Sequence, residues 1–334
     1  SFGGASFHGT RWDHDVALEG KRVAVVGSAA SAVQIVPEVA RRAAHLSVLQ
    51  RSPNWIVPRR LKPYTDAQRR RWRRFPVLMS MVRRLQSLAL GQVEYAVTVG
   101  HPRMRQFERM ATSYLRRTIT DPEVRAALTP DTRYGCKRGL VSDDFYPAFN
   151  LDHVELVPSA LERVTPTGLV TADGRVIDVD VIIYCTGYRV LDFDRIDVVG
   201  VGGRRLADAM ARAPQVYKGI AVPDFPNYFL AVGPNGLVLN VSYFETAEQN
   251  VATIVRLLGD LCDGAHAAMD ARAELSAAYN EGLADKFAAF SWGAADCRSY
   301  YRTASGHAPF LFPGNIRAWR RIQSEITLAE FDLV

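Results

Sequence analysis

The 334 residues are 48% hydrophobic, 23% charged and 10% aromatic, the composition of a globular protein with two or three lobes of ~100–200 residues each. Ordinary glycine and proline content excludes collagen-like and low-complexity chains, and no apolar run approaches the ~18–20 residues of a membrane span, which excludes an integral membrane protein. The net charge of +6 is modest, and its placement along the chain means more than its size.

At the amino end, Phe2, Gly4, His8, Trp12 and Asp13 fit F-x-G-x-x-x-H-x-x-x-W followed by Pro or Asp. Taken alone, His8 reads as a core or hinge histidine as readily as a catalyst. Residues 20–51 form the most legible unit. Val23-Ala24-Val25-Val26 is a run of the kind buried on both faces of a parallel sheet. Val33, Ile35, Val36, Val39 and Ala40 then recur at helical spacing, and Leu46-Ser47-Val48-Leu49 is a second strand, which completes a βαβ unit. Its turn nearly matches G-x-G-x-x-G/A. Gly27 and Ala32 hold the outer positions, while Ala29 takes the middle one, where a methyl crowds a pyrophosphate. Ser28, Ala30 and Ser31 open the helix, whose N-terminal N–H groups attract phosphate. A purely structural βα turn is the plain alternative. After the second strand, Gln50-Arg51-Ser52 sets a guanidinium and a hydroxyl where an NAD site carries Asp or Glu, so NADPH is favoured over NADH. A surface arginine after a strand is the competing reading.

Ten Arg and Lys fall between Arg59 and Arg84, opposed only by Asp66. Such a stripe reads as a nucleic-acid or anionic-membrane surface. Because Trp72, Phe75, Leu78 and Met81 interleave at helical spacing and no nucleic-acid motif accompanies them, an amphipathic helix with a solvated cationic face is preferred. Thr120-Asp121-Pro122 predicts a helix start, with proline in the first turn. Val154–Val157 reads as a strand, and Val164 to Val190 as an antiparallel meander ending in the buried run Val181–Tyr184. Another strand is expected at Tyr228–Val232 and a long helix from about Glu245 to Leu261. Cys136, Cys185, Cys262 and Cys297 lie far apart without a CxxC pair. That spacing argues against a metal site or a disulfide framework, and for reduced thiols in a cytoplasmic enzyme.

The opening pattern, standing just before a βαβ unit, resembles the fingerprint of the Baeyer–Villiger monooxygenases, which use FAD and NADPH. Trp12 favours this branch over the related nitrogen- and sulfur-oxygenating flavin monooxygenases. The resemblance runs along the chain. Gln50-Arg51-Ser52-Pro53-Asn54-Trp55 is similar to the family segment whose Arg-Ser/Thr pair holds the 2′-phosphate. Gly135-Cys136-Lys137-Arg138 is similar to its Lys-Arg region, which implies that Lys137 assists the 2′-phosphate and that Arg138 is the active-site arginine, with His8 and Trp12 as further catalytic-site residues. A fixed guanidinium suits charge developing on oxygen better than lysine does. Thr186 and Gly187 resemble the stretch returning to the FAD domain, and Gly233-Pro234 the segment that approaches the flavin. The following Leu237, Val238, Leu239 and Asn240 would line the substrate pocket. Near the end, Tyr300 stands where the family's control loop commonly has Trp against NADPH.

The expected fold is α/β: a Rossmann-like NADPH-binding domain with a helical insertion, plus the C-terminal part of an FAD-binding domain. The boundaries read as a fingerprint linker at 1–13, the NADPH domain at 14–60 and 133–185, the insertion at 61–132, and the FAD and substrate part at 186–334. The resemblance implies a further FAD half-domain with its own G-x-G-x-x-G, supplied in cis or in trans. It also implies a small lipophilic ketone and O2 as substrates, with no nucleic acid and no metal. The same residues admit two other readings. One is a flavin monooxygenase acting on sulfur or nitrogen; the other is a catalytically silent NADP-binding partner subunit, suggested by Ala29, Tyr300 and the missing FAD motif.

Overall fold

The computed structural model describes residues 1–59, 63–188, 192–211, 214–264, 266–294, 296–297, 302 and 308–334. From the amino end come β1 (Ala5–His8), β2 (Arg22–Val26), α1 (Ala30–Ala40), β3 (His45–Leu49) and β4 (Ile56–Val57). The helices α2 (Asp66–Arg74), α3 (Pro76–Val97), α4 (Pro102–Thr118) and α5 (Pro122–Ala127) follow. Next are β5 (Leu140–Val141), α6 (Phe145–Ala148), β6 (Val154–Val157), β7 (Leu161–Val164), β8 (Gly168–Thr171), β9 (Val176–Asp178) and β10 (Val181–Tyr184). The remainder holds α7 (Leu206–Met210), α8 (Tyr243–Cys262), β11 (Met269–Ala271), α9 (Ala273–Phe287), α10 (Ile316–Ser324) and β12 (Phe331–Leu333). Two compact units result, residues 1–62 with 105–189, and residues 63–104 with 190–334.

The first unit is built on a five-stranded sheet in the order β1-β10-β2-β3-β6, every pair parallel. Period-two alternation sends Val23 and Val25 to one face and Ala24 and Val26 to the other. The first face is covered by α1 through Ala32, Val33, Val36 and Val39, together with Leu115, Ile119, Leu128 and Phe145. The second is covered by the antiparallel β7-β8-β9 sheet through Leu169 and Ile177. Burial from both sides explains why β2 is apolar from Val23 to Val26. The fingerprint stretch is more than a linker at its start, since β1 runs parallel to β10 with His8 opposite Tyr184.

Among its described residues the second unit gathers three apolar clusters. Tyr217, Ile220, Leu257 and Phe331 anchor one, Leu206, Met210 and Phe225 another, and Val238, Leu283, Phe312 and Trp319 the third. The strand expected at Tyr228–Val232 is absent: only Phe229 makes an isolated bridge, to Ala221, flanked by the bond from Leu230 N–H to Ile220 O, while Tyr228 N–H closes a turn on Phe225 O. The single amphipathic helix expected around Trp72–Met81 is two helices. Phe75 leaves helical geometry at φ −132°, ψ 79°, as a residue before proline is biased to do. Phe75 and Met81 are 53% and 55% exposed, so no buried apolar stripe forms there. Among the described residues no helix is long and apolar enough to cross a membrane. Cys185 and Cys262 carry free thiols.

Candidate functional site

Gly27 leaves β2 at φ +113° while its N–H donates to Leu49 O at 2.9 Å. A Cβ here would stand 2.6 Å from the Cys185 carbonyl oxygen, so glycine is needed for both conformation and space. Ala29, the departure from the fingerprint, caps α1 at φ −90°, ψ −161°, which strains no residue. No side chain caps this helix and no acidic residue stands in its first turn. The amide donors of Ala30 and Ser31 and the positive end of the helix dipole are therefore open to an anion. Ser28 is buried beside them, and its carbonyl accepts from Asn54 Nδ2 at 3.1 Å.

Across the turn, Lys137 Nζ donates to Ser52 Oγ at 2.6 Å and to Pro53 O at 3.2 Å. Burial pulls the Lys137 ammonium below the usual lysine range; Arg51 pushes the same way and Asp131 opposes it. Arg51 is exposed and has no carboxylate partner among the described residues. Two cations and a hydroxyl thus converge with little local counter-charge, an arrangement suited to a phosphate monoester. Their loops are moored. β4 and β5 pair in parallel, Ile56 opposite Leu140, and Trp55 Nε1 donates to Thr132 O at 2.8 Å. Tyr134 N–H donates to Glu108 Oε1 at 3.1 Å, and a Cβ on Gly139 would lie 2.3 Å from the Tyr134 hydroxyl. Arg138, between these anchors, is exposed with no polar partner among the described residues. Glu108 and Tyr134 are supports that no motif marks in the sequence.

The fingerprint joins this assembly. Thr10 N–H donates to His8 Nδ1 at 3.2 Å and Thr10 Oγ1 lies 2.8 Å from it, so Nδ1 accepts and the ring proton sits on Nε2. The His8 ring meets Tyr188 edge-on at 6.1 Å, and Tyr188 Oη lies 3.2 Å from Ser31 Oγ. His8, the start of α1 and the Cys185–Tyr188 stretch are thereby brought together, with Thr186 and Gly187 exposed between them. Trp12 packs instead on the sheet core, its ring 5.1 Å from Phe7. Burial pushes the Cys185 thiol up to about 11, which leaves it protonated near neutral pH and unsuited to nucleophilic work.

In the second unit, Gly233 and Pro234 are buried, and Asn250 of α8 holds the turn that follows. Asn250 Nδ2 donates to Ala231 O at 2.9 Å while its Oδ1 accepts from Trp319 Nε1 at 2.8 Å. Both side chains are fully buried. Val238 is spent on core packing with Leu283, Phe312 and Trp319, whereas Leu237 and Leu239 are half-buried. The buried Oδ1 atoms of Asn235 and Asn240 have no partner among the described residues. Tyr300 lies outside the described residues.

Residues 1–201 match the family model described as flavin-binding monooxygenase-like. The whole chain is 35% identical to a Baeyer-Villiger monooxygenase of Pseudomonas aeruginosa and 34% identical to one of Streptomyces coelicolor, and it spans 64% and 65% of their lengths. A solved structure described as oxidized steroid monooxygenase bound to NADP superimposes on all of the chain with a TM-score of 0.85; identity is 26%, and 71% of that protein is covered. With the family model spanning more than half of its residues, the chain belongs to the flavin-binding monooxygenase-like family.

Proposed function

We propose that the chain serves a Baeyer–Villiger oxidation dependent on FAD and NADPH, in which ketone, O2, NADPH and a proton yield ester or lactone, NADP+ and water. The observation that carries the reading is the Arg51–Ser52–Lys137 cluster beside an uncapped helix start, with an unpaired Arg138 adjoining it. The names of the two relatives support the reaction class.

The first unit would be the NADPH module. Lys137, Ser52 and Arg51 would hold the 2′-phosphate, and the amides opening α1 at Ala30 and Ser31 the pyrophosphate. The donor set fits, because Arg51 has no carboxylate partner among the described residues and Lys137 fixes Ser52. Toward the flavin, the orphaned Oδ1 atoms of Asn235 and Asn240 beside Gly233-Pro234 are acceptors for a ring that carries an imide N–H. Bound together, the two cofactors supply hydride transfer and dioxygen activation. Arg138 then contributes a permanent positive charge where oxygen turns negative during insertion. His8 positions the fingerprint turn and Tyr188 through its ring contacts.

The test is product analysis with the whole protein, a cyclic ketone, NADPH and isotopically labelled dioxygen. One labelled oxygen in a lactone is the expected result; unlabelled ketone and NADPH consumption to peroxide alone would overturn the reading. Arg138→Ala should lower lactone formation about a hundred- to a thousandfold while NADP+ affinity stays near wild type.

A further inference from the structure

The helix α3 is 22 residues long, yet only Ala96 and Val97, at its carboxyl end, are buried. Val77, Met81, Leu85 and Leu88 follow at intervals of four, four and three residues and so share one face. They are 71%, 55%, 65% and 61% exposed. The helix is held on its other side. Arg83 reaches Glu248 of α8 at 3.9 Å, Glu94 accepts from Asn315 Nδ2 at 3.3 Å, and Thr98 bridges to Phe290. The helical period puts Arg83 and Glu94 away from the apolar stripe, which is therefore displayed rather than frayed.

The charge beside the stripe is unusual as well. α2 precedes α3 and packs on it. It is well formed, with a reciprocal cap between Thr65 and Gln68, and carries Arg69, Arg70, Arg71, Arg73 and Arg74, all exposed. None of the five has a carboxylate partner among the described residues, and Asp66 is the acid on that helix.

We propose that α2 and α3 form a docking face for an anionic lipid surface, with the α3 stripe entering the headgroup boundary and the α2 arginines pairing with lipid phosphates. An apolar stripe next to unneutralised cations is the pattern of helices that lie in a membrane interface. Nucleic acid would use the arginines and leave the stripe in water. A second copy meeting this face across a two-fold axis would set arginines against arginines. An anionic bilayer satisfies both halves of the face. This inference does not depend on the reaction proposed above.

Flotation of the whole protein with vesicles of phosphatidylcholine, with and without phosphatidylglycerol, tests it. Binding should require phosphatidylglycerol and fall as salt rises. It should weaken at least about tenfold in Val77→Ser/Leu85→Ser/Leu88→Ser and in Arg70→Glu/Arg71→Glu/Arg74→Glu. These side chains are exposed, and circular dichroism checks their folding; the salt and lipid dependence of the wild type stands without any variant. Equal binding to neutral vesicles, no binding, or binding unchanged in both variants would overturn the proposal. So would a concentration-dependent dimer that the serine variant abolishes, which would hand the stripe to a second copy.

Discussion

Lys137 and Arg51 act on one another before any ligand arrives. Burial and the neighbouring guanidinium both disfavour the Lys137 ammonium. In the interval between its lowered folded value and the ordinary lysine value of about 10.4, the unfolded chain binds more protons. Lys137 therefore adds stability as pH rises through that interval, while the grip on phosphate proposed for it, which needs the proton, would decline. NADP+ affinity should begin to fall at a lower pH than an ordinary lysine allows, and Lys137→Arg should level the profile; titration calorimetry across the alkaline range reads this. On the proposed function, Arg51 carries cofactor choice. Arg51→Ala should cost NADPH about 1.5–3 kcal/mol, roughly ten- to a hundredfold in Kd, and leave NADH nearly unchanged. Equal losses for both would remove Arg51 from the phosphate site. Arg51 is a candidate on local grounds, because a strand end followed by Arg-Ser has a direct chemical meaning, whereas Lys137 becomes one only through the family resemblance. Glu108 and Tyr134 were not legible, since their work depends on contacts across 26 residues of chain.

Among the elements, α8 carries a polar residue where its spacing predicts an apolar one. Thr246, Asn250, Thr253, Leu257 and Leu261 form its buried face. Asn250 ties Trp319 of α10 to the backbone ahead of Gly233. Asn250→Leu should leave the indole N–H and the Ala231 carbonyl unpaired in the core and cost about 1–3 kcal/mol, measured by urea unfolding. The cap of α5 behaves differently. Asp121 accepts from Glu123 N–H at 2.7 Å and from Val124 N–H at 3.2 Å, as the Asp-Pro pair in the sequence indicated. Asp121→Ala should cost about 0.5–2 kcal/mol by thermal unfolding without changing NADP+ affinity. Caps are local, so they can be read from four residues. The break at Phe75 could have been read from Pro76 on the same grounds, but helical spacing on both sides of it obscured it.

For the molecule as a whole, cofactor binding and folding are linked. NADPH at about a hundred times its Kd should raise the unfolding free energy by about 2.7 kcal/mol. Arg51→Ala at the same concentration should retain about 1.4 kcal/mol or less, seen as a smaller shift in Tm. An unchanged shift would mean that the nucleotide binds elsewhere. The stabilisation belongs to the ligand and not to the surface ion pairs, which are exposed and individually worth little.

The sequence by itself determined the βαβ unit, the parallel sheet it implies and the family, because strand and helix periodicity and short glycine motifs are local constraints that hold in any tertiary setting. It also determined which residue types could meet a phosphate. The tertiary structure decided the rest. It made β1 from the fingerprint by giving it β10 as a partner, and it brought Tyr188 to His8 and, across 157 residues, to Ser31. It sent Val238 into the core beside Trp319 and left the α3 stripe uncovered, although both segments read simply as apolar. Hydrophobicity states that a side chain favours leaving water. Only packing between distant segments determines which side chains do so.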